Sequence, residues 1–530
     1  MLKRFLKIQI IERVRLFSIF LSRTFYNSDA IKIDGIKRKF IFNTQYIHAF
    51  SELEFMSAAQ LKLQGHEVLV VICDGLPYTE REIVDLPRIE SFKSCSSRTQ
   101  RYCRAYGIPF ITINSFLTKD EKRRSRKLSL GSMVNLQDYK WNDINLGEFA
   151  KRNHSHYFKG DINPEGDFED IYRKAFEAAC LIEISMSKIL KKYHDYDLVT
   201  ANGKFIQSGI PVELAKNSGK SFYTYEVFNQ GNGVIVDKNR CSLEQGMDDV
   251  WSELKKTELN QEDLKKLYHS FDLQQKSISL DHDLWDENRI DDEDEITTIL
   301  GLDLTKKIIA CYPNVYWDSV HMGISSVSTD LTQWLVDMIS FASSNREIQL
   351  IIRTHPGELR VADIIKSKFT MVDTINEAFK KIPSNVFVIE PDSNISSYSV
   401  AKIADANLVW NGTIGQELAL RGIKPVVVAN AYYANKGFTS DFLDFEELTN
   451  YLLEIKRKPR LNEEEKRLAE IFSYNVRFNR KFNAPFYLGT RCHLFNYSKL
   501  SQGNHKTLDN LVDFFLDHKP YLNIGTFDFE

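Results

Sequence analysis

Short apolar runs of strand length alternate with segments of helical period along most of the chain. In the first half, "KFIFN" (39–43) and "EVLVVICDG" (67–75) are rich in β-branched and aromatic residues and predict strands. Between them, "SELEFMSAAQLKLQG" (51–65) has helical spacing and ends on a glycine suited to close a helix. "YGIPFITI" (106–113), "DLVTANG" (197–203) and "SFYTYE" (221–226) predict further strands, with helices over 168–193 and 209–219. The second half repeats the pattern. "KKIIACYP" (306–313), "EIQLIIRTHP" (347–356), "NVFVIEP" (385–391), "ANLVWN" (406–411) and "KPVVVAN" (424–430) are strands. Helical segments at 330–344, 359–369, 396–404 and 413–422 separate them. Such alternation implies mostly parallel, doubly wound sheets. The expected fold class is therefore α/β, with two Rossmann-like domains facing a cleft, a basic helix before them and helices after them.

A chain of 530 residues suits several domains. The pattern divides it into a basic amphipathic segment (1–38), a first Rossmann-like domain (39–245) and a helical and acidic inter-domain region (246–300). A second Rossmann-like domain (301–460) follows, then C-terminal helices (461–530) packing back toward the first domain. The acidic run "DHDLWDENRIDDEDE" (281–295) reads as a solvated connector.

Charge removes some functions. The net charge of −3 gives no reason to expect nucleic acid. The seven cysteines are scattered, without a C-x-x-C pair, and suit a reduced cytoplasmic chain. Cys73, Cys95 and Cys103 are too loosely spaced to argue for zinc. No apolar run of membrane-spanning length occurs. Residues 1–40 nevertheless hold ten Lys/Arg and three acids, a local charge of +7. Leu2, Phe5, Leu6, Ile10, Val14 and Phe17 recur there at near-helical spacing. Two readings stand side by side: a helix resting on an anionic membrane through residues 1–25, or one packed on the domain. A second basic run, "KDEKRRSRK" (119–127), reads as a solvated loop.

In doubly wound sheets ligands bind outside the carboxyl ends of the strands. "IIRTHPGE" places Arg353, His355, Pro356 and Glu358 there, and Pro356 ends the strand. A histidine at that point can donate to a phosphate, and Arg353 adds fixed charge. "NGTIGQE" places Asn411, Gly412, Thr413 and Glu417 at a strand-to-helix turn. Thr413 and Gln416 fit a capping box. A helix start also favours an anion, Gly412 allows close backbone approach, and Glu417 suits the two hydroxyls of a ribose. Ser396 and Ser397 begin a helix after "FVIEP", and Asn314 and Asp318 follow the first strand of this half. Lys436 follows the fifth.

With those residues in place the chain resembles bacterial glycosyltransferases of the GT-B fold. It looks most like the capsule polysaccharide biosynthesis group, which includes Kdo transferases and, more distantly, polysialyltransferases. The resemblance rests on His355-Pro356, on Ser396-Ser397 and on Thr413 with Glu417. It implies that these bind the nucleotide of an activated sugar, often a CMP-sugar. The polysialyltransferases carry an acidic pair before glycine at the acceptor site. Here Cys73-Asp74-Gly75 is the nearest match, with a cysteine in the first place. Asp74 and Glu226 are thus rival candidates for the catalytic base, beside His355 among the catalytic residues.

The resemblance implies transfer of a sugar from a nucleotide-sugar, CMP-Kdo-like or UDP-linked, to a surface polysaccharide or lipid-linked glycan in capsule or lipopolysaccharide synthesis. It implies a nucleotide-sugar donor and a carbohydrate acceptor as partners, no metal, and no cofactor beyond the co-substrate. The expected location is the cytoplasm or the inner face of the cytoplasmic membrane. Two alternatives are a sugar-nucleotide epimerase of the same fold and a non-catalytic subunit of a polysaccharide assembly complex.

Overall fold

The computed structural model describes residues 2–25, 36–45, 51–76, 92–160, 168–228, 233–244, 246–275, 288–318, 324–360, 366–455, 459–483, 497–504 and 506–517. The chain divides into two compact units. Unit 1 comprises residues 1–157, 164–243 and 478–530, and unit 2 comprises 158–163 and 244–477.

Unit 1 is built on strands β1 (Lys39–Phe42), β2 (Glu67–Ile72), β3 (Phe110–Thr112), β4 (Asp197–Ala201), β5 (Phe222–Phe228) and β6 (Gly233–Lys238). Its helices include α1 (Leu2–Thr24), α2 (Ser51–Leu63), α3 (Phe92–Tyr106), α4 (Lys119–Ser129), α5 (Phe168–Lys192) and α6 (Ile206–Asn217). The sheet order is Lys481–Asn483, β6, β5, β4, β1, β2, β3. Strands β1 to β5 pair in parallel, whereas β6 and Lys481–Asn483 pair antiparallel. The order thus reverses between β1 and β4. Ile41, Val71 and Leu198 of the sheet pack on Tyr172, Phe176 and Ile182 of α5. Both faces being covered, the strands read as unbroken apolar runs.

The C-terminal segment from 478 belongs to unit 1 for a visible reason. Arg480 and Asp237 form a fully buried ion pair, and the Tyr223 hydroxyl donates to the Phe515 carbonyl at 3.0 Å. Residues 463–477, expected with the C-terminal helices, are instead part of unit 2.

Unit 2 contains β7 (Lys307–Tyr312), β8 (Ile348–Arg353), β9 (Val386–Ile389), β10 (Ala406–Val409), β11 (Pro425–Val427) and β12 (Ser440–Asp441). Their order is β9-β8-β7-β10-β11-β12, all parallel. This is the 3-2-1-4-5-6 order of the dinucleotide-binding fold, and it reverses between β7 and β10. Its helices include α7 (Gln261–Gln275), α8 (Leu331–Ser344), α9 (Met371–Ala378), α10 (Ser397–Ile403), α11 (Ile414–Leu420) and α12 (Glu463–Tyr474). Trp334 of α8 and Trp410, just past β10, lie with rings 5.5 Å apart in the core.

Several expectations change. The region 246–300 is part of unit 2 and not a separate connector. Trp251 packs on Phe472, and the Tyr268 hydroxyl donates to Glu470 at 2.7 Å, so α7 is fixed to α12. Residues 281–287 of the acidic run and positions 361–365 of the predicted helix 359–369 lie outside the described residues, and the described positions of that predicted helix, 359–360 and 366–369, are not helical. "KDEKRRSRK" is helix α4 and not a loop. Thr118 and Glu121 form a capping box at its start, and Lys188 holds Glu121 at 2.6 Å. Among the described residues no helix is long and apolar enough to cross a membrane.

Candidate functional site

In unit 2 the topological switch point lies at the carboxyl ends of β7 and β10. Asn314 follows β7 and Asn411 follows β10, and the Asn314 Nδ2 donates to Asn411 Oδ1 at 3.1 Å. Asn314 Oδ1 accepts from the Val315 amide at 2.8 Å, which fixes its orientation. Two residues far apart in sequence thus meet where this sheet class binds ligands.

The turn into α11 differs from the expected capping box. Thr413 stands at the N-cap position in αR geometry, and its hydroxyl makes no cap bond. It donates instead to Glu417 Oε1 at 2.9 Å, while Gln416 accepts from the Tyr432 hydroxyl at 2.6 Å. The second oxygen of Glu417 accepts from the Tyr398 hydroxyl at 2.6 Å. Burial and then the Glu417 charge push the Tyr398 phenol well above its ordinary value, so it stays a donor. Arg421 lies over the Tyr398 ring at 3.7 Å. The Gly412 carbonyl accepts from the Tyr433 hydroxyl at 2.7 Å. A side chain placed on Gly412 would meet only Ile414, at 3.9 Å.

After β8, His355 caps the short helix Pro356–Glu358, its Nδ1 accepting from the Gly357 amide at 2.9 Å. The neutral ring therefore carries its proton on Nε2. Ser396 is buried as the N-cap of α10. Ser397, at the first position of that helix, has a hydroxyl with no partner among the described residues.

Three of the candidate ligand residues are buried and bonded within the protein. Arg353 is buried, and its guanidinium donates to the carbonyls of Thr354, Glu390 and Ser393. Burial, then the charge of Arg360, lowers it to about 10. It braces the loop after β9. Glu358 is fully buried, with one oxygen accepting from the Met371 amide at 3.0 Å and the other without a partner among the described residues. Burial pushes its carboxyl up to about 8. It therefore sits as a neutral acid at the start of α9 near neutral pH. Lys436 is buried in an ion pair with Asp248. Asp318 is half-buried in a turn closed by its own amide onto the Val315 carbonyl.

In unit 1, Asp74 follows β2 and accepts from the Asn114 amide at 2.9 Å. Gly75 has φ +126°, a conformation that turns the chain sharply after the acid and favours glycine. Glu226 lies near the end of β5, half-buried. Strands β4 and β1 stand between β5 and β2. At ~4.8 Å per strand the two acids are separated by about 14 Å across the sheet, too far to share one acceptor oxygen.

A polar cluster at the unit 1 switch point carries no motif and was not foreseen. Asn43, past β1, donates to Thr200 of β4 at 3.0 Å and to the Gln207 carbonyl at 2.7 Å. Gln45 donates to Asn43 at 3.1 Å. The Gln207 side-chain amide, the Gln45 Oε1 and the Thr44 hydroxyl are buried without partners among the described residues. Consecutive polar residues directly after an apolar strand were the only available signal. Among the described residues no group of three or more His, Cys, Asp or Glu could hold a metal.

Two doubly wound Rossmann-like units in one chain are the make-up of the GT-B class. No family model and no curated protein matches the chain. Among solved structures it is similar to two KpsC β-Kdo transferases of Thermosulfurimonas dismutans, a 2,7 and a 2,4 transferase. Each is 14% identical, with TM-scores of 0.31 and 0.32. The matches cover 55% and 52% of this chain and 79% and 78% of those chains. It is also similar to a UDP-N-acetylglucosamine 2-epimerase at 10% identity and TM-score 0.21, over 92% of this chain and 98% of that one.

Proposed function

We propose that the protein is a glycosyltransferase that takes a sugar from a nucleotide-sugar, a CMP-sugar such as CMP-Kdo before a UDP-sugar. The acceptor is a surface polysaccharide or lipid-linked glycan of capsule or lipopolysaccharide type, and no metal or further cofactor takes part. The observation that carries this reading is the Glu417 carboxylate, whose two oxygens each accept a hydroxyl, from Thr413 and Tyr398. That is the bonding a carboxylate offers to the two hydroxyls of a ribose. Asn314, Asn411, Ser397 and the Nε2 side of His355 lie at neighbouring strand ends and would donate to the phosphate and base. Preorganised donors of this kind stabilise a departing phosphate.

Asp74 is the better base of the two acids. The Asn114 amide orients one of its oxygens, and the other has no partner among the described residues. It would take the proton of the attacking acceptor hydroxyl. Arg353, Glu358 and Lys436 act on this reading through the loops they hold.

Thermal shift with CMP, UDP and GDP tests the proposal. Stabilisation by one nucleotide, lost in Glu417→Gln, is expected. Stabilisation by none would overturn it. Turnover of a UDP-sugar to its epimer without an acceptor would replace it with the epimerase reading.

A further inference from the structure

Helix α1 is apolar on two opposite sides. Leu16 and Ile19 are buried in unit 1, and beside them Glu12 accepts from Arg98 at 2.9 Å. Arg15 pairs with Glu52 on the same body. Val14, Phe17, Leu21 and Phe25 follow one another at three or four residues and are exposed, Phe17 by 61% and Phe25 by 83%. At 3.6 residues per turn they fall within ~80° of one another, facing away from the buried side. Phe25 continues the helical bonding through its amide to the Leu21 carbonyl at 3.2 Å. A contiguous exposed apolar stripe of this kind marks an interaction surface.

The same helix forms one wall of a cavity of about 840 Å³ at the amino edge of the unit 1 sheet. The residues proposed for sugar transfer stand at carboxyl edges, so this is a separate place. Phe20, Tyr193 and Tyr196 supply aromatic walls, and Arg23, Lys62 and Arg104 supply three cations. None of the three has a carboxylate partner among the described residues. Arg23 lies over the Phe20 ring, Lys62 donates to the Gly107 carbonyl, and Arg104 donates to Gln100. Glu67, the carboxylate on the wall, is taken by the Tyr196 hydroxyl at 2.7 Å and by Lys37 at 2.9 Å. Arg23 is seated on Gly107, which has φ +68°, and a side chain there would collide with the guanidinium. Burial, then the charge of Arg23, lowers the Lys62 ammonium. Cations crowded without a counter-ion are relieved by an anion.

We propose that this edge of unit 1 docks on an anionic phospholipid bilayer, with the Val14–Phe25 stripe inserted at the interface and a headgroup phosphate held by Arg23, Lys62 and Arg104. Charge selects the bilayer over a second copy of the chain. Residues 1–40 carry ten Lys/Arg and three acids. A two-fold interface would set that surplus against itself, whereas an anionic surface attracts it. Apolar insertion together with basic residues is the pairing of forces that holds peripheral helices.

The test is co-sedimentation of the full chain with phosphatidylcholine vesicles, with and without about 30 mol% phosphatidylglycerol, a composition chosen to give the surface charge that attracts basic segments. Wild type should bind the anionic vesicles at least about tenfold more than the neutral ones, the scale set by several basic residues near a charged surface. Phe17→Ser/Phe25→Ser and Arg23→Gln/Lys62→Gln/Arg104→Gln should each cut that binding by about tenfold. Phe25→Ser alone, at an exposed helix end, guards against misfolding and should show a smaller loss in the same direction. Anionic-vesicle binding that survives both multiple variants would overturn the proposal. So would titration by inorganic phosphate in the absence of any vesicle binding, which would assign the cavity to a free phosphate compound. A wild-type dimer dissociated by Phe17→Ser/Phe25→Ser, without vesicle binding, would assign the stripe to a second copy. None of these readouts depends on sugar transfer, so the two proposals stand or fall separately.

Discussion

The hydroxyl of Tyr398 and the carboxylate of Glu417 meet at 2.6 Å, nineteen residues apart in sequence, with Thr413 on the other carboxylate oxygen. Both hydroxyls come from the protein, and on the proposed function a ribose would replace them at the carboxylate. Glu417→Gln should therefore weaken binding of a ribonucleotide about tenfold to a hundredfold, the range for hydrogen bonds to a charged group. A 2′,3′-dideoxynucleotide lacks the groups Glu417 would hold, and should bind wild type and variant alike. Calorimetric titration of both ligands decides it, and an equal loss for both would remove Glu417 from ribose recognition.

Gly412 offers a cleaner separation of fold from binding. A methyl group there would meet nothing nearer than Ile414 at 3.9 Å. Gly412→Ala should therefore change stability by under about 0.5 kcal/mol, as substitutions in open space do. If a nucleotide lies against this backbone, the methyl should lower affinity by about tenfold, a cost in the range of ~1–3 kcal/mol for crowding a packed contact. Unchanged affinity would move the ligand away from the turn.

Glu358 makes the stability of unit 2 depend on pH. Burial raises its carboxyl from the ordinary 4.5 to about 8. Between those values the folded chain holds a proton that the unfolded chain has lost, so stability falls as pH rises. The contribution is complete below pH 4.5 and gone above about 8. Glu358→Gln keeps an oxygen for the Met371 amide and cannot ionise. Its melting temperature should match wild type near pH 4.5 and exceed it at pH 8. Parallel melting curves for the two proteins across that window would show that Glu358 does not titrate there.

The central strands were legible because parallel strands covered on both faces are written as apolar runs, and β1, β2, β7, β8 and β10 are such runs. Helices α4 and α9 were not, because the polar composition of α4 hid it and α9, at 8 residues, is too short to show a clear period. Their capping boxes, Thr118 with Glu121 and Thr370 with Asp373, were the better signal. At the candidate site, the strand-end positions of Glu417 and His355 were legible because they follow directly from where the apolar runs stop. The burial of Arg353 and Glu358 was not legible, for the complementary reason. A charged residue beside a strand end looks the same in sequence whether it faces a ligand or is buried as a brace. Only the carbonyls of Glu390 and Ser393, on a different loop, show which role Arg353 has.

Gln207 escaped notice because it sits on a helix without any motif. Its backbone carbonyl accepts from Asn43 and Gln45, yet its own side-chain oxygen and nitrogen are buried with no partner among the described residues. A buried amide in that state costs roughly 1–3 kcal/mol for each unsatisfied group. Gln207→Met keeps the backbone acceptor and much of the shape while removing the penalty, so the variant should be as stable as wild type or more so by about 1 kcal/mol. A fold retains such a cost where the group serves a ligand. If Gln207 receives the acceptor hydroxyls, Gln207→Met should raise the KM for acceptor and leave the KM for the nucleotide-sugar unchanged. Chemical denaturation and two-substrate kinetics on one preparation separate the outcomes. A stabilised variant with unaltered acceptor kinetics would place the acceptor elsewhere on unit 1, and a destabilised one would show that the amide is satisfied in solution.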